Sequence, residues 1–497
     1  MVCDTRVENP FFKENAFRTM AVEAHALPTF ATARPRLPVP HWPGHDEAIA
    51  CYWRAWELAF GNLRTPTAES GFVRNFIDTA FNKNLFMWDS AFILMFGRYG
   101  ARAFDFQATL ENFYAKQHKD GYICREIREV NGEERFERHD PSSTGPNVLP
   151  WCEWEYFCNT GDRARLARVF PVLVAYTQWM RKFRTWPDGT HWSSGWGCGM
   201  DNQPRLPPGC KEEFDHGHMS WIDTTCQQVL ADRILLRMAT VLGRASEIDD
   251  VAAEARDLTR FVNRRMWNGS LAFYTDRYRD GSLSTVKSIA SFWALLAGMV
   301  PPKRLPSFLA HLENEKEFNR PHRVPSLSAD HPAYHPDGDY WCGAVWAPTN
   351  YMVLRGLTQA GRHDLAHAIA VNHVQHVAAV HRQTGTLFEN YAPESTKGMF
   401  RKEFVGWTGV PPITVLFEYV FGLRPDVPKR TLLWDVRLLD EHGVANYPYG
   451  ADGCLNLHCE KRARAVDEPV IRATGNCPVR LRVVWSGGTK TVRVTQA

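Results

Sequence analysis

The chain has 497 residues, of which 44% are apolar and 23% charged, with a formal charge of +3. That length exceeds one small core and suits one large domain with an appendage, or two to three domains, and the composition excludes large-scale disorder. The near-neutral charge, without a basic stripe, excludes a dedicated nucleic-acid binder, and no run approaches the ~20 apolar residues of a membrane span.

Residues 1–44 read as an N-terminal arm. Residues 1–6 lack the apolar stretch of a secretory signal. The segment Leu37-Pro38-Val39-Pro40-His41-Trp42-Pro43 cannot be helical, because proline lacks the amide donor. From 45 to 429 helices dominate. Leu166, Phe170 and Leu173 mark one helix face, and Val251, Ala255, Leu258 and Val262 another. The run from Ile289 to Val300 predicts a core helix. Met352–Thr358 and Asp364–Val380 predict a helix pair joined at Ala360-Gly361-Arg362. Short turns between helices point to stacked hairpins. Long Gly-, Trp- and Pro-rich loops are expected at 184–219, 318–346 and 383–410, and loops of that length are usually functional. From 430 to 497 the period changes to two, predicting a small antiparallel β appendage. Its hairpin turns at Gly487-Gly488, between Val479–Val484 and Thr491–Val494.

The 12 cysteines form no C-x-x-C pair, and Cys152, Cys226 and Cys342 read as buried apolar residues. With no secretory signal, these features predict a cytoplasmic protein. Phosphate-binding, dinucleotide-binding, G-x-S-x-G and H-E-x-x-H signatures are absent. His216 and His218 lack a third ligand nearby, so ordinary polar roles are expected, and no metal or cofactor. Glu153 and Glu155 resemble buried structural acids.

Two loops carry acids in settings suited to catalysis. In Gly195-Trp196-Gly197-Cys198-Gly199-Met200-Asp201-Asn202, three glycines allow close approach to a ligand, and apolar neighbours raise a carboxyl's pKa. Asp201 reads equally as a turn-capping residue. In Phe388-Glu389-Asn390-Tyr391, leading to Trp407, Glu389 is flanked by groups able to position a water, with Glu394 as its rival. Asn84 to Ser90, Gly121 to Glu126 and Tyr340 to Tyr351 add aromatic residues and Arg125. The 18 tryptophans fit both core packing and flat floors for sugar rings.

Phe86-Met87-Trp88-Asp89, the Trp196 to Asn202 loop, Tyr340-Trp341 to Tyr351 and Phe388-Glu389-Asn390-Tyr391 occur in an order that resembles the clan of inverting α-glycosidases. That clan contains processing α-glucosidase, trehalase, and the mannosylglycerate and glucosylglycerate hydrolases. The resemblance spans residues 80 to 426. It implies a mainly α fold, a six-hairpin α/α toroid with the site at one mouth, and no cofactor. It puts the general acid on Asp201 and the general base on Glu389. It maps Trp88, Asp89, Arg125, Trp341 and Trp346 onto segments lining the sugar subsite. Trp196, Asn202, Asn390, Tyr391 and Trp407 join the candidate substrate-binding set from the same loops. The loop Pro141 to Asn147 departs from the clan's pattern. A carbohydrate substrate is expected, with an α-linked glucoside or mannoside cleaved with inversion. Arg125 or Arg205 is a candidate for holding a substrate carboxylate. A non-catalytic carbohydrate-binding protein, or an epimerase or lyase on the same toroid, is the alternative.

Overall fold

The computed structural model describes residues 7–210 and 214–496. Residues 1–6 and part of the 184–219 loop lie outside it. The chain is helix-rich with a C-terminal strand region. Among the described residues no helix is long and apolar enough to cross a membrane.

Burial sorts the helices into two kinds. Met87–Gly97 is buried on every side, as its almost wholly apolar sequence requires. Asp249–Arg265 buries the stripe of Val251, Ala255, Leu258 and Val262, together with Glu254. Asp249 and Asp250 sit at its start and Arg264 and Arg265 at its end, where each sign complements the helix dipole.

The enclosed helices pack in a closed circuit. Met87–Gly97 lies on Leu149–Thr160, which lies on Ile222–Leu242. Trp293–Leu296, Ala347–Gln359 and the π-helix Val410–Val420 follow, and the last returns to Met87–Gly97. Asp46–Gly61, Arg163–Phe183, Asp249–Arg265 and His363–Thr384 pack against members of this circuit. The expected core helix from Ile289 to Val300 is broken. A 3-10 turn, Ile289–Phe292, leads into the single α-turn Trp293–Leu296, and Gly298 at a φ of 67° ends it.

Among the circuit's own helices the core combines stacked aromatic rings with buried ion pairs. Trp88 contacts Trp293 (centroids 6.2 Å apart), Trp293 contacts Trp151 (5.9 Å), and Trp151 stacks on Tyr351 (5.5 Å). Tyr351 donates to Glu418 at 2.9 Å, and Glu418 also pairs with Arg98, which bonds Glu155 at 3.3 Å. Glu153 accepts two bonds from Arg165 at 2.8 Å. Both glutamates are thus structural ion-pair members.

The C-terminal strands form two sheets rather than one antiparallel unit. One is ordered Leu423–Asp426, Thr431–Asp435, Arg480–Trp485, Gly488–Arg493. The other is ordered Val39–His41, His442–Tyr449, Gly453–Cys459, Ile471–Gly475, Thr495–Gln496. Two pairings are parallel: Thr431–Asp435 with Arg480–Trp485, and Ile471–Gly475 with Thr495–Gln496. Strand alternation is blind to direction, and the long connections here permit either sense. The expected hairpin forms, but it turns one residue earlier, at Ser486-Gly487, and Gly488 already pairs with Trp485. The N-terminal arm is not detached, since its Val39–His41 is an edge strand of the C-terminal sheet.

Candidate active site

A cavity of about 440 Å³ opens at the N-terminal ends of the circuit's helices. Trp88 and Asp89 reach it from the first turn of Met87–Gly97, Pro146 from just before Leu149–Thr160, and Trp407 from just before Val410–Val420.

Glu389 is presented by a hairpin. The strand Phe388–Tyr391 pairs antiparallel with Gly398–Lys402, with a register irregularity between Phe388 and Asn390. The expected 383–410 loop therefore contains a strand pair. Trp407 Nε1–H donates to the Glu389 carbonyl at 2.8 Å, and the Thr408 hydroxyl donates to the Phe388 carbonyl at 2.8 Å. The carboxyl itself accepts from the Tyr340 hydroxyl at 3.3 Å and faces Arg401 Nε at 3.4 Å. Glu389 is only 5% exposed. Burial pushes its pKa above the ordinary carboxylate range, while the Arg401 charge and the Tyr340 hydrogen bond pull it back.

Asp201 reaches the same cavity from a different loop. Ser194 caps the short helix Gly195–Cys198 by accepting from Gly197 N–H at 3.0 Å. Gly199 ends it at a φ of 78°, over the Trp88 ring, and the chain turns into Asp201. Asn202 then ties this loop to its neighbour. Its Nδ2 donates to the Asp339 carbonyl at 2.9 Å, and its Oδ1 accepts from Trp341 N–H at 2.8 Å. Asp339 and Tyr340 are held at positive φ, 34° and 63°. The result places the Tyr340 phenol among three carboxyls. Burial, then the charges of Asp201, Glu389 and Asp89, all raise its pKa, so it stays a proton donor.

The sequence favours Asp201 as the less solvated carboxyl. The structure reverses this, with Asp201 half-buried and Glu389 buried. The reason is local: Asp201 lies on a glycine-flanked loop, whereas Glu389 lies on a strand fully covered by Tyr340, Trp407 and the hairpin.

Asp89 is fully buried with one carboxyl oxygen unpartnered. Burial pushes its pKa well above the usual range, and Glu389 adds to this. Arg125 is fixed by donating to the Ser142 carbonyl at 2.6 Å and lies 4.6 Å over the Phe136 ring. Trp196 and Trp341 also line the cavity.

Four sequence candidates do not reach the wall. Trp346 lies behind Trp341, its Nε1–H donating to the Tyr340 carbonyl at 3.2 Å. Asn202 is spent on the Asp339–Trp341 backbone. Asn390 and Tyr391 are buried away from the cavity. Arg205 is also excluded as a substrate ligand. It is 1% exposed and paired with Asp223 and Asp276 at 2.7–2.8 Å. Glu394, the rival base, is taken by Arg320 at 2.6 and 2.9 Å and by the Tyr334 hydroxyl at 2.5 Å. His216 and His218 pack edge-to-face on each other near Trp186. Sequence reasoning missed Arg401, Arg135 and Phe81, and quoted Tyr340 and Glu126 without assigning them to the site.

Residues 82–408 match the family described as mannosylglycerate hydrolase MGH1-like glycoside hydrolase domain. A probable mannosyl-oligosaccharide glucosidase of Schizosaccharomyces pombe is 27% identical over 278 residues, covering 49% of this chain and 34% of that protein. The chain thus spans about a third of that relative's length. An uncharacterized protein of Borreliella burgdorferi is 21% identical over 370 residues, 71% of this chain and 75% of that one. The mannosylglycerate hydrolase of Thermus thermophilus, solved with glucose, shares the fold. The TM-score is 0.58 at 20% identity, over 73% of this chain and 98% of that one. Neutral trehalase of Saccharomyces cerevisiae follows at a TM-score of 0.55 and 14% identity, over 69% and 73% of the two chains. With about two thirds of its length inside the family match, the chain belongs to the mannosylglycerate hydrolase MGH1-like glycoside hydrolase domain family and is a glycosidase.

Proposed function

We propose that this glycosidase hydrolyses an α-linked glucoside or mannoside with inversion, the substrate being an oligosaccharide, a disaccharide or a glycosylglycerate. Asp201 is the general acid and Glu389 the general base. The observation that carries the reading is that these two carboxyls, from distant loops, face one cavity and both act on the Tyr340 phenol. The fold reading behind it is a six-hairpin α/α toroid over residues 45–429 with a β appendage over 430–497. The cyclic packing of the enclosed helices supports it.

The chemistry follows from the positions. Inversion needs one protonated and one ionised carboxyl on opposite faces of the scissile bond, with room for a water. Glu389 takes a proton from that water as its oxygen attacks the anomeric carbon. The bond to the glycosidic oxygen breaks, its electron pair stays on that oxygen, and Asp201 supplies the proton. Arg401 and Tyr340 stabilise the ionised form of Glu389 that the first step requires. Trp88, Trp341 and Trp407 offer apolar surface to the sugar's C–H faces. Asp89 and Arg125 present polar groups to its hydroxyls, and Arg125 is the candidate for an aglycone carboxylate. Among the described residues no histidine lines the cavity, so an epimerase's paired imidazole bases find no counterpart among them. The free cysteines, with Cys152, Cys226 and Cys342 buried, support a cytoplasmic setting.

A panel of α-linked disaccharides and glycosylglycerates, read by released monosaccharide, identifies the substrate. Proton NMR of the first product then reads the stereochemistry: the β-anomer is expected, and the α-anomer first overturns the mechanism. Asp201→Asn and Glu389→Gln should each lower turnover by at least ~10²-fold with the fold intact. A glycosyl fluoride, which needs little protonation to leave, should rescue Asp201→Asn alone.

A further inference from the structure

A second constellation lies far along the chain from both catalytic loops, where the N-terminal arm meets the C-terminal sheet. His41 ends the edge strand Val39–His41, and His458 lies in Gly453–Cys459. Between them runs His442–Tyr449, and its Gly443 is the cross-strand partner of both, His41 on one side and His458 on the other. Side chains at paired positions share a face of the sheet, and so do residues two apart on one strand. Gly443 puts no side chain between the two imidazoles. Glu441, two residues earlier, brings its carboxylate to them. His41 Nε2 lies 3.1 Å from Glu441 Oε1, and His458 Nε2 lies 3.0 Å from the same oxygen. The three ligand atoms fall within 4.8 Å of one another.

We propose that His41, Glu441 and His458 form a divalent transition-metal site, with Zn²⁺ as the fitting ion, that clamps the N-terminal strand to the C-terminal sheet. Zn²⁺ takes imidazole nitrogens at about 2.0–2.1 Å and carboxylate oxygens at about 2.0–2.2 Å, so the corners of its tetrahedron are about 3.3 Å apart. The observed separations of 3.1 and 3.0 Å need only a small adjustment to admit the ion. Two imidazoles and one carboxylate are a borderline set that suits zinc over the harder Mg²⁺ or Ca²⁺. Rigid strands carry both histidines. All three side chains reach solvent, so an ion has an entry path and a water completes the fourth position. The sequence offers no spacing signal for such a site, because its ligands come from opposite ends of the chain. The ion ties those ends together and takes no part in the glycosidase chemistry.

Metal-free full-length protein titrated with ZnCl₂ in a calorimeter should take up one equivalent, and its Tm should rise with free Zn²⁺, since an ion held only by the folded chain stabilises it. CoCl₂ in place of zinc should give the visible absorption of a tetrahedral N/O centre. His41→Ala and His458→Ala should each weaken zinc binding by more than about 100-fold, beyond the loss from an outer partner. Both should also abolish the Tm rise and leave glycosidase turnover unchanged. His216→Ala should bind as the parent does. Absence of stoichiometric zinc uptake overturns the proposal, as does uptake that survives both His41→Ala and His458→Ala.

Discussion

Trp341 lies flat on Trp346, with ring centroids 3.9 Å apart and planes 1° from parallel. The first ring forms cavity wall and the second backs it, held by its bond to the Tyr340 carbonyl. A wall residue and its support are thus separable by mutation. Trp341→Ala should cost about 3–5 kcal/mol, because the backing ring cannot collapse into the void. It should also raise KM more than it lowers kcat, by removing stacking surface common to substrate and transition state. Urea unfolding and steady-state kinetics check the two effects. Trp341→Phe should recover most of the binding. An unchanged KM in Trp341→Ala would show that no sugar ring uses this surface.

Glu389 places function and stability in opposition. Burial raises its pKa in the fold above that in the unfolded chain. Stability from such a group is fully present below the unfolded-chain pKa and is lost as pH rises through the folded value. At neutral pH the ionised, buried carboxylate is therefore a net cost. Glu389→Gln should gain about 0.5–2 kcal/mol at pH 7 while losing turnover. That gain should shrink in acid, where the glutamate itself is protonated. Thermal unfolding of both proteins at pH 7 and pH 4 reads the difference.

If Glu389 is the base, Arg401 should set the acid limb of activity. Its charge lies 3.4 Å from Glu389 and lowers that carboxyl's pKa against the effect of burial. Removing the charge in Arg401→Gln should raise the pKa, so the acid limb of kcat/KM moves to higher pH. Tyr340→Phe, which removes a hydrogen bond to the carboxylate, should move it the same way. Arg401 is half exposed, so added salt should reproduce part of the shift in the parent enzyme and none in Arg401→Gln. An acid limb that stays in place in both variants would assign it to another group.

Arg205 holds the loop that follows the proposed acid. Arg205→Met leaves Asp223 and Asp276 buried without their cation, a loss on the order of 3–5 kcal/mol. Because Arg205 stands four residues after Asp201, kcat should fall as well. A urea midpoint equal to the parent's would show that the triad is replaceable.

Asp201, Glu389, Trp88, Asp89 and Trp341, which the ordered motifs of the resemblance picked out, all line one cavity. The local sequence alone did not separate a catalytic Asp201 from a turn cap, because a glycine-flanked loop suits both. Arg401 was not legible, because hairpin register places it beside Glu389 and register depends on a turn the sequence leaves open. Asn390 marks the opposite error. Alternation along a strand turns neighbours to opposite faces, so Glu389 in the cavity sends Asn390 away from it. Tyr391 does not follow the same alternation, since it too lies away from the cavity, beyond the register irregularity between Phe388 and Asn390. Asn202 and Trp346 sit beside true wall residues in sequence and act by holding them. The parallel pairings of the C-terminal sheets were hidden for a different reason, since alternation reports a buried face and never a direction.

The column of rings below Trp88, through Trp293 and Trp151 to Tyr351, ends on the buried ion pairs of Arg98, about ten residues or 15 Å down the same helix. Among the described residues this packing closes the cavity beneath Trp88. If the proposed hydrolysis takes place there, a polymer that cannot pass that floor would present its linkage to Asp201 and Glu389 only at a chain terminus. The released monosaccharide should then compete with fresh substrate for the floor of the cavity, which product inhibition of the steady-state rate would read.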